Sequence, residues 1–124
     1  MDGTGGAQRM TTVQVLSRQV DDATVLDLEG RIVLGPATDA LGSAMQDAIA
    51  KGTRKLLLNM KNVTQVDTSG ISTIVRAFVS MQRAGGKFGL FHMSDRVRQI
   101  LDMIRLLNVI PNFSDEQQAV ARLR

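Results

Sequence analysis

Asp67-Thr68-Ser69-Gly70 gathers a carboxylate, two hydroxyls and a glycine in four consecutive positions of a 124-residue chain. Three chemistries could use such a group: hydrolysis by paired aspartates, capping of a helix, or acceptance of a phosphate. Paired-aspartate hydrolysis needs Asp, a hydroxyl residue and Gly in direct succession, so that two carboxylates can share one proton. Ser69 separates Thr68 from Gly70, and the flanking chain reads as half helical, whereas that chemistry is carried by β-rich folds. The hydrolytic option is set aside, which leaves the cap and the phosphate acceptor.

Other chemistry has less to build on. His92 is the only histidine, and it stands next to a strand end. No H-E-x-x-H or D-x-D-x-D spacing accompanies it, so no metal site is expected. Gly85-Gly86-Lys87 lacks the G-x-x-x-x-G-K-[ST] spacing of a phosphate loop and reads as a helix stop before a strand. No G-x-S-x-G elbow is present. The sequence calls for no cofactor, and nothing in it marks an enzyme.

The elements that would position the D-T-S-G group can be read from periodicity. Residues 1–10 are Gly-rich and aperiodic and read as a tail, with one domain over 11–124. Thr11 to Val20 is a strand with Val13 and Val15 on one face. Thr24–Glu29 alternates Leu26 and Leu28 against Asp27 and Glu29, a second strand with one wet face. Gly30 breaks it, and Arg31-Ile32-Val33 is a short third piece. Pro36 marks the first position of a helix whose stripe is Leu41, Met45, Ala48 and Ile49, and Gly52 stops it.

Lys55–Asn59 is a compact apolar run, as expected of a parallel strand buried on both faces. After Asp67, Ile71, Ile74, Val75 and Phe78 recur at i, i+3, i+4 and i+7. Ser72, Thr73, Arg76 and Ser80 are assigned to the opposite, exposed side. Gly85-Gly86 ends that helix and Lys87–Phe91 is a further strand. Val97, Ile100, Leu101, Ile104 and Leu107 make a third helical stripe, entered through Ser94-Asp95. Pro111 confines any strand near Val109–Phe113 to an edge, and a last helix spans about Asp115 to Leu123. Alternation of strands and helices in the second half implies right-handed parallel crossovers. The fold class is α/β: a sandwich with a mixed sheet of about 4–6 strands and about 4 helices packed mainly on one side.

Composition narrows the function classes. Hydrophobic residues make up 44% and aromatics 3%, with no Trp, Tyr or Cys, so the core is aliphatic and disulfides and thiolate sites are excluded. Fifteen basic residues are scattered among twelve acidic ones, for a net charge of +3. That is a mixed surface, unlike the basic stripe and stacking aromatics of a nucleic-acid binder. The N-terminal stretch has no apolar signal region and no run is long enough to span a membrane, so a cytoplasmic location is expected.

The location of the D-T-S-G group makes the two remaining chemistries compatible. It stands where a strand-like segment gives way to an amphipathic helix, and short polar side chains there satisfy unpaired N–H groups, so Thr68 or Ser69 could serve as the cap. A helix N-terminus also carries partial positive charge and tolerates a phosphate. Phosphorylation there would add about −1.5 to −2 charges without melting the helix.

From Asn59 through Ile71 the chain matches the pattern N-[LM]-x-x-V-x-x-[VIM]-D-[ST]-[ST]-G-[LI]. With "QRAGGKFGLF" and "SDRVRQILDMIRLLNVIPNFSDEQQAV" it resembles the STAS domain of anti-sigma factor antagonists, over about residues 13–121. The resemblance implies a STAS-type sandwich and a protein-interaction switch. Such a protein, unphosphorylated, binds an anti-sigma factor and frees a sigma factor. The anti-sigma factor is itself a serine/threonine kinase of the histidine-kinase-like ATPase type, and a separate phosphatase reverses its action. The hydroxyl after the motif acid is the acceptor, here Thr68, with Ser69 as the alternative. The resemblance also gives Asp67 a part in orienting the loop and Gly70 one in close passage into the helix. Ser72, Thr73, Arg76 and Ser80 would continue the partner-binding surface. Three departures are visible: Thr stands where Ser is usual, Gly30–Gly35 lacks the acidic residue often found before the first helix, and Pro111 alters the last edge. A non-switching scaffold, or an accessory subunit of a lipid transport complex, is the alternative use of the same fold.

Overall fold

The structure, a computed structural model, describes residues 13–123. The tail expected over 1–10 and the strand start expected at Thr11 lie outside those residues. A five-stranded sheet runs in the order β1 (Gln14–Val20), β2 (Ala23–Ile32), β3 (Lys55–Val66), β4 (Lys87–Phe91), β5 (Asn112–Phe113). β1 pairs antiparallel with β2, and every other neighbouring pair is parallel. The sheet is therefore mixed, as the sequence implied, and β5 forms the edge after Pro111.

The connections are helical: α1 (Pro36–Ala50), α2 (Thr68–Arg83), α3 (Asp95–Met103) followed by a 3₁₀ turn at Leu106–Asn108, and α4 (Glu116–Arg122). Pro36 does occupy the start of α1, and the chain after α1 turns at Gly52 with φ 84°. The Ser94 side chain caps α3 by accepting from Val97 N–H at 3.2 Å, and Asp115 caps α4 by accepting from Gln118 N–H at 2.8 Å.

The alternation of β2 and β3 divides the core in two. Leu26, Leu28, Leu56 and Leu58 face α1, α2 and α3 with Leu41, Met45, Ile74, Met81 and Leu101. Ala23, Val25 and Leu57 face the opposite way, where Ala119 and Leu123 of the α4 segment cover them together with Phe91. Three helices lie on one face and the short fourth on the other, which is why β3 is apolar on both sides. An Arg18 clip fastens α4 to the sheet: the guanidinium donates to Asp27 through Nε at 2.6 Å and also pairs with Glu116.

Three expectations need correction. Gly30 does not end β2; with φ 118° it sits in one continuous strand where the β2–β3 register shifts. β3 does not stop at Asn59 but continues to Val66. Its buried residues there, Met60, Val63 and Val66, fall three apart because the extra residues of those shifts lie on β3. The stripe read through Ile104 and Leu107 overruns α3, which ends at Met103; the chain turns at Arg105 with φ 61° and Ile104 is left exposed.

Parallel strands place the starts of α1, α2 and α3 at one end of the sheet, beyond the C-terminal ends of β2, β3 and β4. In open α/β sheets this is the end where binding groups collect.

Candidate functional site

β3 hands the chain to α2 through one extended residue, Asp67, with φ −103° and ψ −175°. Its carboxylate uses both oxygens. Oδ1 accepts from the Gly70 N–H at 2.9 Å, which caps α2, and Oδ2 accepts from the Leu34 N–H at 3.0 Å in the loop before α1. Its backbone is fixed too: the Asp67 N–H donates to the Ile32 carbonyl at 3.3 Å and the Asp67 carbonyl accepts from Ile71 N–H at 2.9 Å. One residue, through backbone and side chain together, thus joins the ends of two parallel strands to the starts of two helices.

The cap is therefore Asp67, not Thr68 or Ser69, which the sequence had left open. Thr68 is the first residue of α2, exposed, with a hydroxyl that the cap does not need. Ser69 is half-buried and its carbonyl accepts from the Thr73 hydroxyl at 2.9 Å. Gly70 is buried, and a Cβ there would stand 2.2 Å from the Ile32 carbonyl oxygen, 2.9 Å from Ile32 Cγ2 and 3.0 Å from Val66 Cγ1. Only glycine lets the first turn of α2 approach β2 this closely. This geometry gives the motif three divided tasks: Asp67 ties, Gly70 makes room, Thr68 is presented.

The exposed face of α2 is narrower than its sequence implied. Ser72 and Arg76 are exposed and Ser80 is half-buried. Thr73 is 7% exposed, so it does not belong to the outer face. Its methyl lies toward Gly42 of α1, and its hydroxyl is satisfied within its own helix. The face of α2 that is fully buried is Gly70, Thr73, Ile74, Ala77 and Met81, while Ile71, Val75 and Phe78 are only partly covered. The helix is turned toward α1, because it must pack on a neighbouring helix as well as on the sheet. A groove of about 290 Å³ follows that seam, lined by Thr38, Asp39, Gln46, Thr73 and Arg76 among others.

Sequence reading missed Leu34 altogether. It is 76% exposed and belongs to no periodic stripe. Its only signal was an apolar residue placed directly before Gly35-Pro36.

The electrostatics follow from the bonds. The Leu34 N–H, then the Gly70 N–H, hold the Asp67 carboxyl below the usual carboxylate range. A depressed folded value means the tie contributes fully above the unfolded value near 3.9 and is lost as pH falls through the lower folded one. Amide protection at Leu34 and Gly70 is thus expected to fall together on acidification, at a pH below the ordinary carboxylate range. Asp67→Asn retains one acceptor oxygen, so at neutral pH it should lose protection at one of the two amides. Hydrogen exchange reads both outcomes, and unchanged protection at both amides in Asp67→Asn would contradict the tie.

Among the described residues no group of three or more His, Cys, Asp or Glu could hold a metal ion, and none of the helices is long and apolar enough to cross a membrane. His92 packs its ring against Phe91 at 5.5 Å between centroids.

Comparison with known proteins agrees with the fold. The family model for the STAS domain matches residues 14–119. The anti-sigma F factor antagonist of Paenibacillus polymyxa is 25% identical over 87 residues, covering 69% of this chain and 74% of that protein. A crystal structure of an anti-sigma factor antagonist from Mycobacterium paratuberculosis superposes with a TM-score of 0.82 at 18% identity, over 91% of this chain and 95% of its own. The Bacillus cell fate determinant SpoIIAA in its phosphorylated form gives a TM-score of 0.67 at 18% identity, over 90% of this chain and 98% of its own.

Proposed function

The chain belongs to the STAS domain family, and from that premise we propose that it is an anti-sigma factor antagonist switched by phosphorylation of Thr68. Unphosphorylated, it binds an anti-sigma factor and releases the sigma factor held there. It acts by binding and carries out no catalysis of its own. The anti-sigma factor, acting as a serine/threonine kinase, returns it to the inactive form, and a phosphatase resets it.

One observation carries this reading: the Thr68 hydroxyl is exposed at the N-terminus of α2 while Asp67 supplies the cap. Modification therefore removes no bond that holds the helix. In the transfer, the Thr68 hydroxyl oxygen bonds the terminal phosphorus of ATP and the bond to ADP breaks. The hydroxyl proton leaves to a base on the kinase or to solvent. The product places two anionic groups, phosphate and Asp67, at one helix end, whose N–H groups and dipole favour negative charge. The fold tolerates this, but an interface shaped for a neutral hydroxyl does not, because a charge taken out of water without a partner is costly. Ser69, half-buried with its backbone engaged by Thr73, is the poorer acceptor. Ser72 and Arg76 continue the exposed surface beyond Thr68, and the phosphorylated state of SpoIIAA supports a switch on this fold.

A reconstituted transcription reaction tests the proposal. Sigma-dependent synthesis inhibited by the organism's anti-sigma factor should be restored by the unphosphorylated protein. Thr68→Glu should restore far less. Equal release by both proteins, or none by either, would overturn it.

A further inference from the structure

We propose that the cleft between β1 and the C-terminal half of α1 binds a small amphiphilic anion, a carboxylate or phosphate on a short aliphatic stem. The cleft has a volume of about 470 Å³, within the range of small-molecule sites. It lies at the starts of β2 and β3, the end of the sheet opposite Thr68, and does not depend on the function proposed above. The cleft exists because β1 is an edge strand. Ser17 and Gln19, paired with Leu26 and Thr24 of β2, stay exposed beside α1. Leu26, Ala44 and Ala48 supply an apolar wall.

Beside that wall the lining is polar, and its hydrogen bonds do not close. Thr24 is 5% exposed, and its hydroxyl accepts from the Gln19 side-chain amide at 2.8 Å. The Thr24 and Thr53 hydroxyl oxygens stand 3.3 Å apart, so one donates to the other. Two hydroxyls carry two hydrogens and share one bond. One hydrogen is therefore left without an acceptor among the described residues, whichever threonine donates. It belongs to a residue of the cleft lining, where an anionic oxygen would accept it.

The charge at the rim has the matching sign. Lys51 and Arg54 line the cleft, are exposed and form no ion pair among the described residues. Asp22 is neutralised by Lys55 at 2.9 Å, which leaves Asp47 as the one opposing carboxylate of the lining. Nor are the two cations needed to finish α1. The Asp47, Ala48 and Ile49 carbonyls already accept from the Lys51, Thr53 and Gly52 N–H groups at 3.0, 3.1 and 3.0 Å. An anionic head held by Lys51, Arg54 and the spare hydroxyl sets its stem along the apolar wall.

The test titrates the purified full chain with hexanoate, hexyl phosphate and hexanol at constant ionic strength, following backbone amide resonances. Hexanoate or hexyl phosphate should give saturable shifts centred on Thr24, Gly52 and Thr53, and the tighter of the two names the head group. Hexanol, with the same stem and no charge, should bind about tenfold more weakly or less. A Lys51→Ala, Arg54→Ala double variant should lose about tenfold in affinity for the anion. Its melting temperature and its affinity for hexanol should not change. The proposal is overturned if neither anion gives a saturable shift, if hexanol binds as well as the anions, or if the shifts centre elsewhere. Anion binding unaltered in the double variant would overturn it too.

Discussion

Gly70→Ala is expected to destabilise the fold by about 3 kcal/mol or more, at the upper end of what overpacking costs. The added methyl would stand 2.2 Å from the Ile32 carbonyl oxygen, with Ile32 Cγ2 and Val66 Cγ1 at 2.9 and 3.0 Å. The first of these is backbone, so no side-chain rotation can relieve it. The first turn of α2 would have to move off the end of β2, and the Gly70 N–H would leave the Asp67 carboxylate it bonds at 2.9 Å. Gly42→Ala is the matched control on α1. Its Cβ would meet Thr73 Cγ2 at 3.8 Å, an ordinary contact. Removing a glycine from a helix interior should stabilise by about 0.5–1 kcal/mol. Denaturant unfolding of the two variants measures opposite signs if the close approach is real. A neutral Gly70→Ala would contradict it.

Thr68→Glu should weaken binding to the anti-sigma factor by about tenfold to a hundredfold, and full phosphorylation by more, since each tenfold needs only about 1.4 kcal/mol. A buried charge without a partner costs several kcal/mol in a protein interior, so a modest interface centred on Thr68 can supply that much. The larger charge of a phosphate, about −1.5 to −2, explains why it exceeds the mimic. The fold should not register the change. An acid in the first turn of a helix is favoured by the dipole, and Asp67 keeps the cap. Calorimetric titration with a parallel thermal melt separates the two effects. A large fall in melting temperature would mean that the hydroxyl carries structure, and would contradict the division of labour between Asp67 and Thr68.

The order of elements was legible because turn residues punctuate it. Pro36, Gly52, Gly85 and Pro111 sit where the physics of φ and of missing donors demands a boundary, and the structure has boundaries there. The start of α2 was legible for the same reason, since a short acid before a hydroxyl and a helical stripe is a capping pattern. What misled the reading was tertiary. A glycine at positive φ looks the same whether it breaks a strand or lets it shift register, so Gly30 was taken for a break. The shifts put Met60, Val63 and Val66 three apart and hid half of β3. Thr73 is polar in type but buried in fact, because it lies on the side of α2 that faces α1, a neighbour its own helix cannot reveal. The candidate site showed the same division. Asp67, Thr68 and Gly70 were visible as neighbours in the chain, whereas the bond from Leu34 to Asp67 joins residues that only the fold brings together.

Mapping the phosphate tests the central claim most directly. The protein is incubated with the candidate anti-sigma factor kinase and ATP, and the modified residue is located by mass spectrometry. One phosphate on Thr68, absent from Thr68→Ala, is the expected result. Undiminished labelling of a Thr68→Ala, Ser69→Ala double variant would contradict the claim and place the modified hydroxyl elsewhere.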